Sequence, residues 1–420
     1  MLLAGCAPDE EPSADPTGDG PYVTAFVTIT TTNPATDSEL VADLHFPTDA
    51  AVSVGPVAPV PVLVFVPGTS TPRGSYSGNA RQLATWGYVV ALPGMPENDV
   101  EVRASDIAHL LAYLGDLNVD RDSDLFRRLD LTRIALTGHS LGGIAPLMIA
   151  ARGDTPVLAV VPLDPVNPTG NAWDYEGEGW RIDAPVAIIG AASHPCNWFA
   201  GYREMYGHLG GGHKAMFEIQ EAGHCDFLDP GMRLASSLCG LICGGYSEQR
   251  LALIERYATA WHNYYVRLDT DSYDLLYGAQ ADSDVAAGLV ERTVDTAPRD
   301  VRATGVASAV ELSWRAFDHP VVTGYHIYRS QQSQVYHGPP YAQVGPQSGF
   351  VDVDVVPGTL YYYVVACHDA AGNEHQLSIE VSAVPRPATA GLPPRLPALP
   401  AAHRSVRLWD TTEAAVPAGG

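Results

Sequence analysis

The sequence predicts an α/β domain built on a mainly parallel sheet, followed by a small all-β module. Three observations carry this reading. Up to about residue 268, continuous Val/Ile/Leu blocks alternate with helical stretches. An Asp-rich link then intervenes, and beyond it the pattern changes to short, strictly alternating strands without helices. At 420 residues the chain also exceeds what one hydrophobic core usually organises.

Residues 23–30 and 40–46 alternate and read as leading antiparallel strands. Residues 62–66, 88–92, 134–137, 157–161, 186–189 and 215–219 are the apolar runs expected of strands buried on both faces. Helical spacing fits 79–86, 105–114 and 141–151, and a longer helix over 247–266 closes the domain. The boundaries are therefore a polar tether at 1–21, an eight-stranded domain at 22–268, a linker at 269–294, the all-β module at 295–385, and a Pro- and Ala-rich disordered tail at 386–420.

The formal charge of −24 repels a phosphate backbone, so nucleic acid is excluded as a partner. The best apolar run, 57–66, is short and broken by Pro59 and Pro61, too little to span a bilayer. Cys196, Cys225, Cys239 and Cys243 cluster in one region, which suggests two disulfides of undetermined connectivity and an oxidising compartment. A zinc site on Cys239 and Cys243 with His224 or Cys225 is set aside, because the flanking sequence matches no zinc ribbon or finger. Cys367 has no local partner and reads as a free buried thiol. The run Asp116-x-Asn118-x-Asp120-x-Asp122-x-Asp124 lacks the turn glycine and distal glutamate of a calcium loop and reads as a solvated connector. No metal or organic cofactor is expected.

Chemistry concentrates in three places. Gly138-His139-Ser140-Leu141-Gly142 follows a strand and opens a helix, the context in which G-x-S-x-G becomes a nucleophile elbow. Small residues are needed on either side because strand turns into helix with almost no room. Ser140 then sits at a helix N-terminus, where partial positive charge favours a developing oxyanion. The strand at 62–66 ends in Pro67-Gly68-Thr69-Ser70, and the backbone N–H groups of Thr69 and Leu141 are the expected oxyanion pair. His224 follows the strand at 215–219 and is the expected general base. The strand at 186–189 leads into Gly190-Ala191-Ala192-Ser193-His194-Pro195, with no carboxylate. The preceding strand leads into Pro162-Leu163-Asp164-Pro165-Val166, so Asp164 is the expected acid, one strand early. Trp173 and Trp198 follow the two strands beside the elbow; a substrate-pocket role and a packing role are both open.

These motifs identify the first domain as similar to the α/β-hydrolases. Gly138-His139-Ser140, Asp164-Pro165-Val166 and Gly223-His224-x-Asp226-x-Leu228-Asp229 resemble the signature segments of chlorophyllase-type serine hydrolases. That resemblance implies a Ser140–His224–Asp164 triad and a carboxylic-ester substrate. Leu141 stands where plant members carry arginine, which separates this chain from a chlorophyll substrate. Bacterial polyester hydrolases share the scaffold but keep the acid after the later strand, a more distant match. The second module resembles fibronectin type III: Leu312-Ser313-Trp314, Gly324-Tyr325-His326-Ile327-Tyr328-Arg329 and Pro357-Gly358-Thr359-Leu360-Tyr361 carry the likeness. It implies Trp314 as the buried indole and Tyr361 as the corner tyrosine. Leu3-Ala4-Gly5-Cys6 resembles a bacterial lipobox, which implies a lipidated Cys6, attachment to a membrane through it, and an exported protein of the cell envelope.

The expected function is an exported serine esterase, with the fibronectin-like module contacting a surface or polymer. Lipase, polyester depolymerase and small-ester esterase stay open within that class. The reading of another class is a non-catalytic surface or adhesion lipoprotein on a hydrolase scaffold.

Overall fold

A computed structural model describes residues 16–48, 59–95, 97–167, 173–192, 201–210, 212–230 and 247–388. The strands of the first domain are β1 (Val23–Asn33), β2 (Ser38–Thr48), β3 (Val60–Val66), β4 (Val89–Pro93), β5 (Leu129–His139), β6 (Val157–Leu163), β7 (Val186–Ala191), β8 (Lys214–Ile219) and β9 (Val290–Asp295). They form one sheet in the order β1-β2-β4-β3-β5-β6-β7-β8-β9. From β4 to β8 neighbouring strands are parallel, while β1, β2 and β9 run antiparallel at the edges.

The helices are α1 (Ser77–Thr85), α2 (Val100–Val119), α3 (Ile144–Arg152), α4 (Tyr175–Glu178), α5 (Gly201–His208), α6 (Glu248–His262), α7 (Ser272–Leu276) and α8 (Ala279–Ala286). Strand residues alternate between two cores. Leu63, Phe65, Val90, Ala135 and Val161 pack toward α1 and α6, while Val62, Val64, Val89, Leu136 and Val160 pack toward α2 and α3. A strand with both faces covered needs no polar alternation, hence the uninterrupted apolar runs.

All eight expected strands are present, and two segments depart from expectation. Residues 269–294, read as a linker, carry α7, α8 and β9. Strand β9 pairs along its whole length with β8, from Lys214↔Asp295 to Ile219↔Val290. Its exposed residues are Glu291 and Thr293, and Arg292 and Asp295 add further charge, so its pattern resembles a link; pairing with β8 is what makes it a strand. The start of the chain also differs. Within 16–20, the carbonyls of Pro16 and Gly18 accept from Gln82, Gly18 also accepts from the Trp86 indole, and the Gly20 N–H donates to Thr85, so the end of the expected tether is docked on α1. Most of the tail, and Cys6, lie outside the described residues.

The second module has two sheets. One holds β10 (Arg299–Val306), β11 (Ala309–Arg315) and β14 (Gly349–Asp352). The other holds β13 (Ala342–Val344), β12 (Gly324–Ser330), β15 (Tyr361–His368) and β16 (Val381–Ala383). Trp314 is buried against Tyr325, with ring centroids 5.2 Å apart, and the Tyr361 hydroxyl accepts from the Val356 N–H at 3.0 Å, as a corner tyrosine should. The module docks on the first domain through buried contacts. Tyr264 bonds Asp369 and His375, Cys367 Sγ lies 3.4 Å from His213 Nε2, and His319 reaches the Leu158 carbonyl. Of the two cysteines among the described residues, Cys367 is the free one, as expected, and burial pushes its thiol up to about 12.

Candidate active site

The elbow is built by glycines where a side chain has no space. A Cβ on Gly138 would lie 2.2 Å from the Gly142 carbonyl oxygen, and one on Gly142 would lie 2.3 Å from that of Val66. Strand β5 can therefore turn straight into the 3₁₀ turn at Ser140–Gly143. Ser140 is left with φ of +59°, a left-handed conformation that a non-glycine residue holds only when its surroundings enforce it. Ser140 and His224 are half-buried, and Asp164 is fully buried.

Asp164 leaves the end of β6 with φ of +40°, also in the left-handed region. One carboxylate oxygen lies 2.5 Å from His224 Nδ1, and the other accepts the Ala191 N–H at 3.1 Å. Ala191 ends β7, the strand after which most α/β-hydrolases place their acid. The carboxylate thus starts one strand early and reaches the neighbouring strand end. The bond to Nδ1 orients the imidazole and leaves Nε2 for another partner.

The loop carrying His224 is clamped by the other acidic residues of its segment. Asp226, 2% exposed, accepts from the Gly223 N–H, the Ser247 N–H and the Arg250 guanidinium. Asp229 accepts from Gly78 and Asn79 at the start of α1. Behind the His224 ring lies His139, with centroids 4.4 Å apart, itself stacked on Phe227. Burial, and then the neighbouring His224 ring, hold the His139 pKa well below the usual histidine range, so His139 is a neutral packing plate.

The oxyanion side is equally close. A Cβ on Gly68 would sit 3.3 Å from Ser140 Cβ, so β3 delivers its loop directly against the elbow. Thr69 is exposed in that loop, one residue past Gly68, and Leu141 is buried in the turn directly after Ser140. An open groove of about 680 Å³, lined by Ser70, Thr71, Arg73 and Met95 among others, adjoins Thr69.

Two residues absent from the sequence expectations complete this end of the sheet. Tyr76 bonds both Gly68 and His139, and Arg103 bonds the Pro67 carbonyl. Arg103 was legible in principle, since it falls on the apolar stripe Val100, Ala104, Ile107 and Leu111 of α2. Of the two roles open for Trp173, its surroundings are those of packing: it is 3% exposed, belongs to the same core cluster as α2 and α3, and donates its indole N–H to Glu178. Trp198, Cys196, Cys239 and Cys243 lie outside the described residues.

Comparison with known proteins places both modules. Residues 298–384 match the model of a fibronectin type III domain, the SaeA third domain. A 96-residue stretch is 34% identical to part of an amylopullulanase of Thermoanaerobacterium saccharolyticum, covering 22% of this chain and 7% of that protein. Residues 8–239 match the PET hydrolase-like family model. The family matched is thus the polyester-hydrolase side of the α/β-hydrolases, which the motifs alone place as the more distant likeness. With more than half its length matched, the chain belongs to the PET hydrolase-like family, with a fibronectin type III domain behind the hydrolase domain.

Proposed function

We propose that this protein is a serine carboxylic-ester hydrolase working through Ser140, His224 and Asp164. Membership of an ester-hydrolase family supports the reaction class. The observation that carries the residue assignment is the 2.5 Å contact between the Asp164 carboxylate and His224 Nδ1, beside an elbow that holds Ser140 at φ of +59°. In the first half-reaction Ser140 Oγ attacks the ester carbonyl and gives its proton to His224 Nε2. The tetrahedral oxyanion is received by the N–H groups of Thr69 and Leu141, and the imidazolium protonates the departing alkoxide. In the second half-reaction water attacks the acyl-enzyme by the same route, releasing the acid and restoring Ser140. Asp164 fixes the tautomer and stabilises the imidazolium.

A fluorophosphonate probe tests this. The folded protein should carry one adduct, mapped by mass spectrometry to Ser140. Folded protein without that adduct would sink the enzyme reading and favour a non-catalytic surface role. Export, lipidation at Cys6 and a surface or polymer contact by the fibronectin domain belong to the same proposal. Unmodified Cys6 in membrane fractions of a bacterial host, by intact mass, would remove the anchor. A disulfide joining Cys225 to one of Cys196, Cys239 and Cys243 is proposed from their clustering; peptide mapping that finds four free thiols would refute it.

A further inference from the structure

Behind the oxyanion loop runs a buried hydrogen-bonded chain that the triad chemistry does not use. Arg103, 0% exposed on α2, gives its three bonds to the carbonyls of Pro67 and Glu97 and to Asn98 Oδ1, none of them a carboxylate. The Nη1 bond to Pro67 is 2.7 Å. On the other side of the same peptide, the Gly68 N–H donates to Tyr76 Oη at 3.1 Å, and Tyr76 Oη lies 2.8 Å from His139 Nδ1. An amide N–H can only donate, so the phenol accepts there, and the same oxygen is hydrogen-bonded to Nδ1 of His139, with the donor set by the His139 tautomer. Tyr76 is 0% exposed and packs on Phe65 of β3.

We infer that Tyr76 and Arg103 are positioning residues that hold the 67–68 peptide from both sides, and with it the Thr69 N–H, in register with Ser140. The inference rests on the proposed nucleophile and oxyanion assignments. Its reason is geometric. The Thr69 N–H belongs to the next peptide, 68–69, so with the 67–68 peptide held, only the φ and ψ of Gly68 remain between the clamp and that donor. Thr69 and Ser70 are exposed, and an exposed turn does not by itself fix a donor to the precision an oxyanion needs. Tyr76 also ties the same peptide to His139, the residue before the nucleophile, so loop and elbow move together. The members reinforce one another, because a carbonyl polarised by a guanidinium makes its own N–H a better donor. Burial pushes the Tyr76 phenol above its ordinary range and brings Arg103 down to about 10, so at neutral pH the phenol keeps its proton and the guanidinium its charge.

The test compares Tyr76→Phe, Arg103→Lys and Arg103→Gln in the full chain. It reads kcat and KM on a soluble nitrophenyl ester and the affinity of an alkyl trifluoromethyl ketone, whose serine adduct carries the oxyanion. Tyr76→Phe should lower kcat about 10- to 100-fold with KM changed by less than about 2-fold, and weaken the ketone by the same factor as kcat. Arg103→Gln should act in the same direction. Arg103→Lys should recover part of the loss, since it keeps charge but not the planar fork. If Tyr76→Phe fails to fold, the Arg103→Lys and Arg103→Gln pair carries the test. Folded variants that melt earlier yet keep kcat and ketone affinity within about 2-fold of wild type would show a purely structural role and overturn the inference. Wild-type protein that binds neither the ketone nor a fluorophosphonate would instead overturn the nucleophile assignment on which it rests.

Discussion

Two sets of histidines in this molecule differ both in their partners and in their exposure. His224 at the sheet's C-terminal edge has a carboxylate on Nδ1 and a side chain still 15% exposed. His213, His319 and His375, between the two domains, are each less than a tenth exposed and bonded to neutral groups. Their partners are the hydroxyls of Tyr265 and Tyr264, the Leu158 carbonyl and the Cys367 thiol. Burial lowers all three, His319 to about 4, His375 to about 3, and His213 well below its ordinary value. A histidine packed among tyrosines is thus held neutral as part of a core. One facing a buried carboxylate at a solvent edge can accept a proton and be stabilised while it holds it. Identical side chains become mortar or machinery according to whether a charge partner and an opening come with the burial.

The largest effect expected from this contrast is at the triad. Ser140→Ala should lower kcat on a soluble ester on the order of 10⁶-fold, and Ser140→Ala with His224→Ala should be little worse than either alone, because the residues act as a unit. Steady-state kinetics on folded protein check this; multiplicative losses would mean that His224 works apart from Ser140. Next in size is the effect of cutting the chain. Truncation after Asp284 removes β9, bares the edge of β8 and exposes the tyrosine-rich docking face, so it should yield insoluble or unfolded protein. A stable, active fragment ending there would show that 285–294 is a linker after all.

The smallest effect concerns pH. His319 and His375 have folded pKa values near 4 and 3 against an ordinary 6.5, so between those limits the unfolded chain binds more protons. Stability therefore falls as pH drops below about 6.5 and stops responding to these groups below their folded values, with roughly 1 kcal/mol lost per pH unit for each. Asp369 and Glu374 lie close to this cluster, and Arg299 bears on His213, so the whole profile includes their contributions. Denaturant melts from pH 7 to 4 should show a shallower slope in His375→Phe than in wild type. Parallel profiles would contradict the assignment of that slope to the interface.

What the sequence disclosed follows a physical line. Strands β3 to β8 and the elbow are local: their signals are runs of apolar residues, and glycines forced by a tight turn. Asp164 was reached by elimination, because the β7 loop offers no carboxylate, and its bonds to His224 Nδ1 and the Ala191 N–H are consistent with that choice. Strand β9 was not readable, since charged residues on an edge strand look like a link until a partner strand is known. Tyr76 was invisible for a related reason. Its importance lies in two bonds to residues 8 and 63 positions away, which no spacing announces. Trp173 was ambiguous for the opposite reason: a loop after a strand beside the elbow suits a pocket or a core residue equally, and only the packing separates them.

The central claim is that Asp164, and not the nearer Asp226, serves His224. Asp226 is committed to the Gly223 and Ser247 N–H groups and to Arg250, whereas Asp164 contacts the imidazole itself. The measurement is kcat for Asp164→Asn beside Asp226→Asn, each shown folded by circular dichroism. Asp164→Asn should favour the wrong tautomer and lose imidazolium stabilisation, a fall on the order of 10⁴ by the precedent of trypsin. Asp226→Asn should lower the melting temperature while costing kcat no more than about 10-fold, as expected of a loop support. The reverse order of damage to kcat would contradict the account.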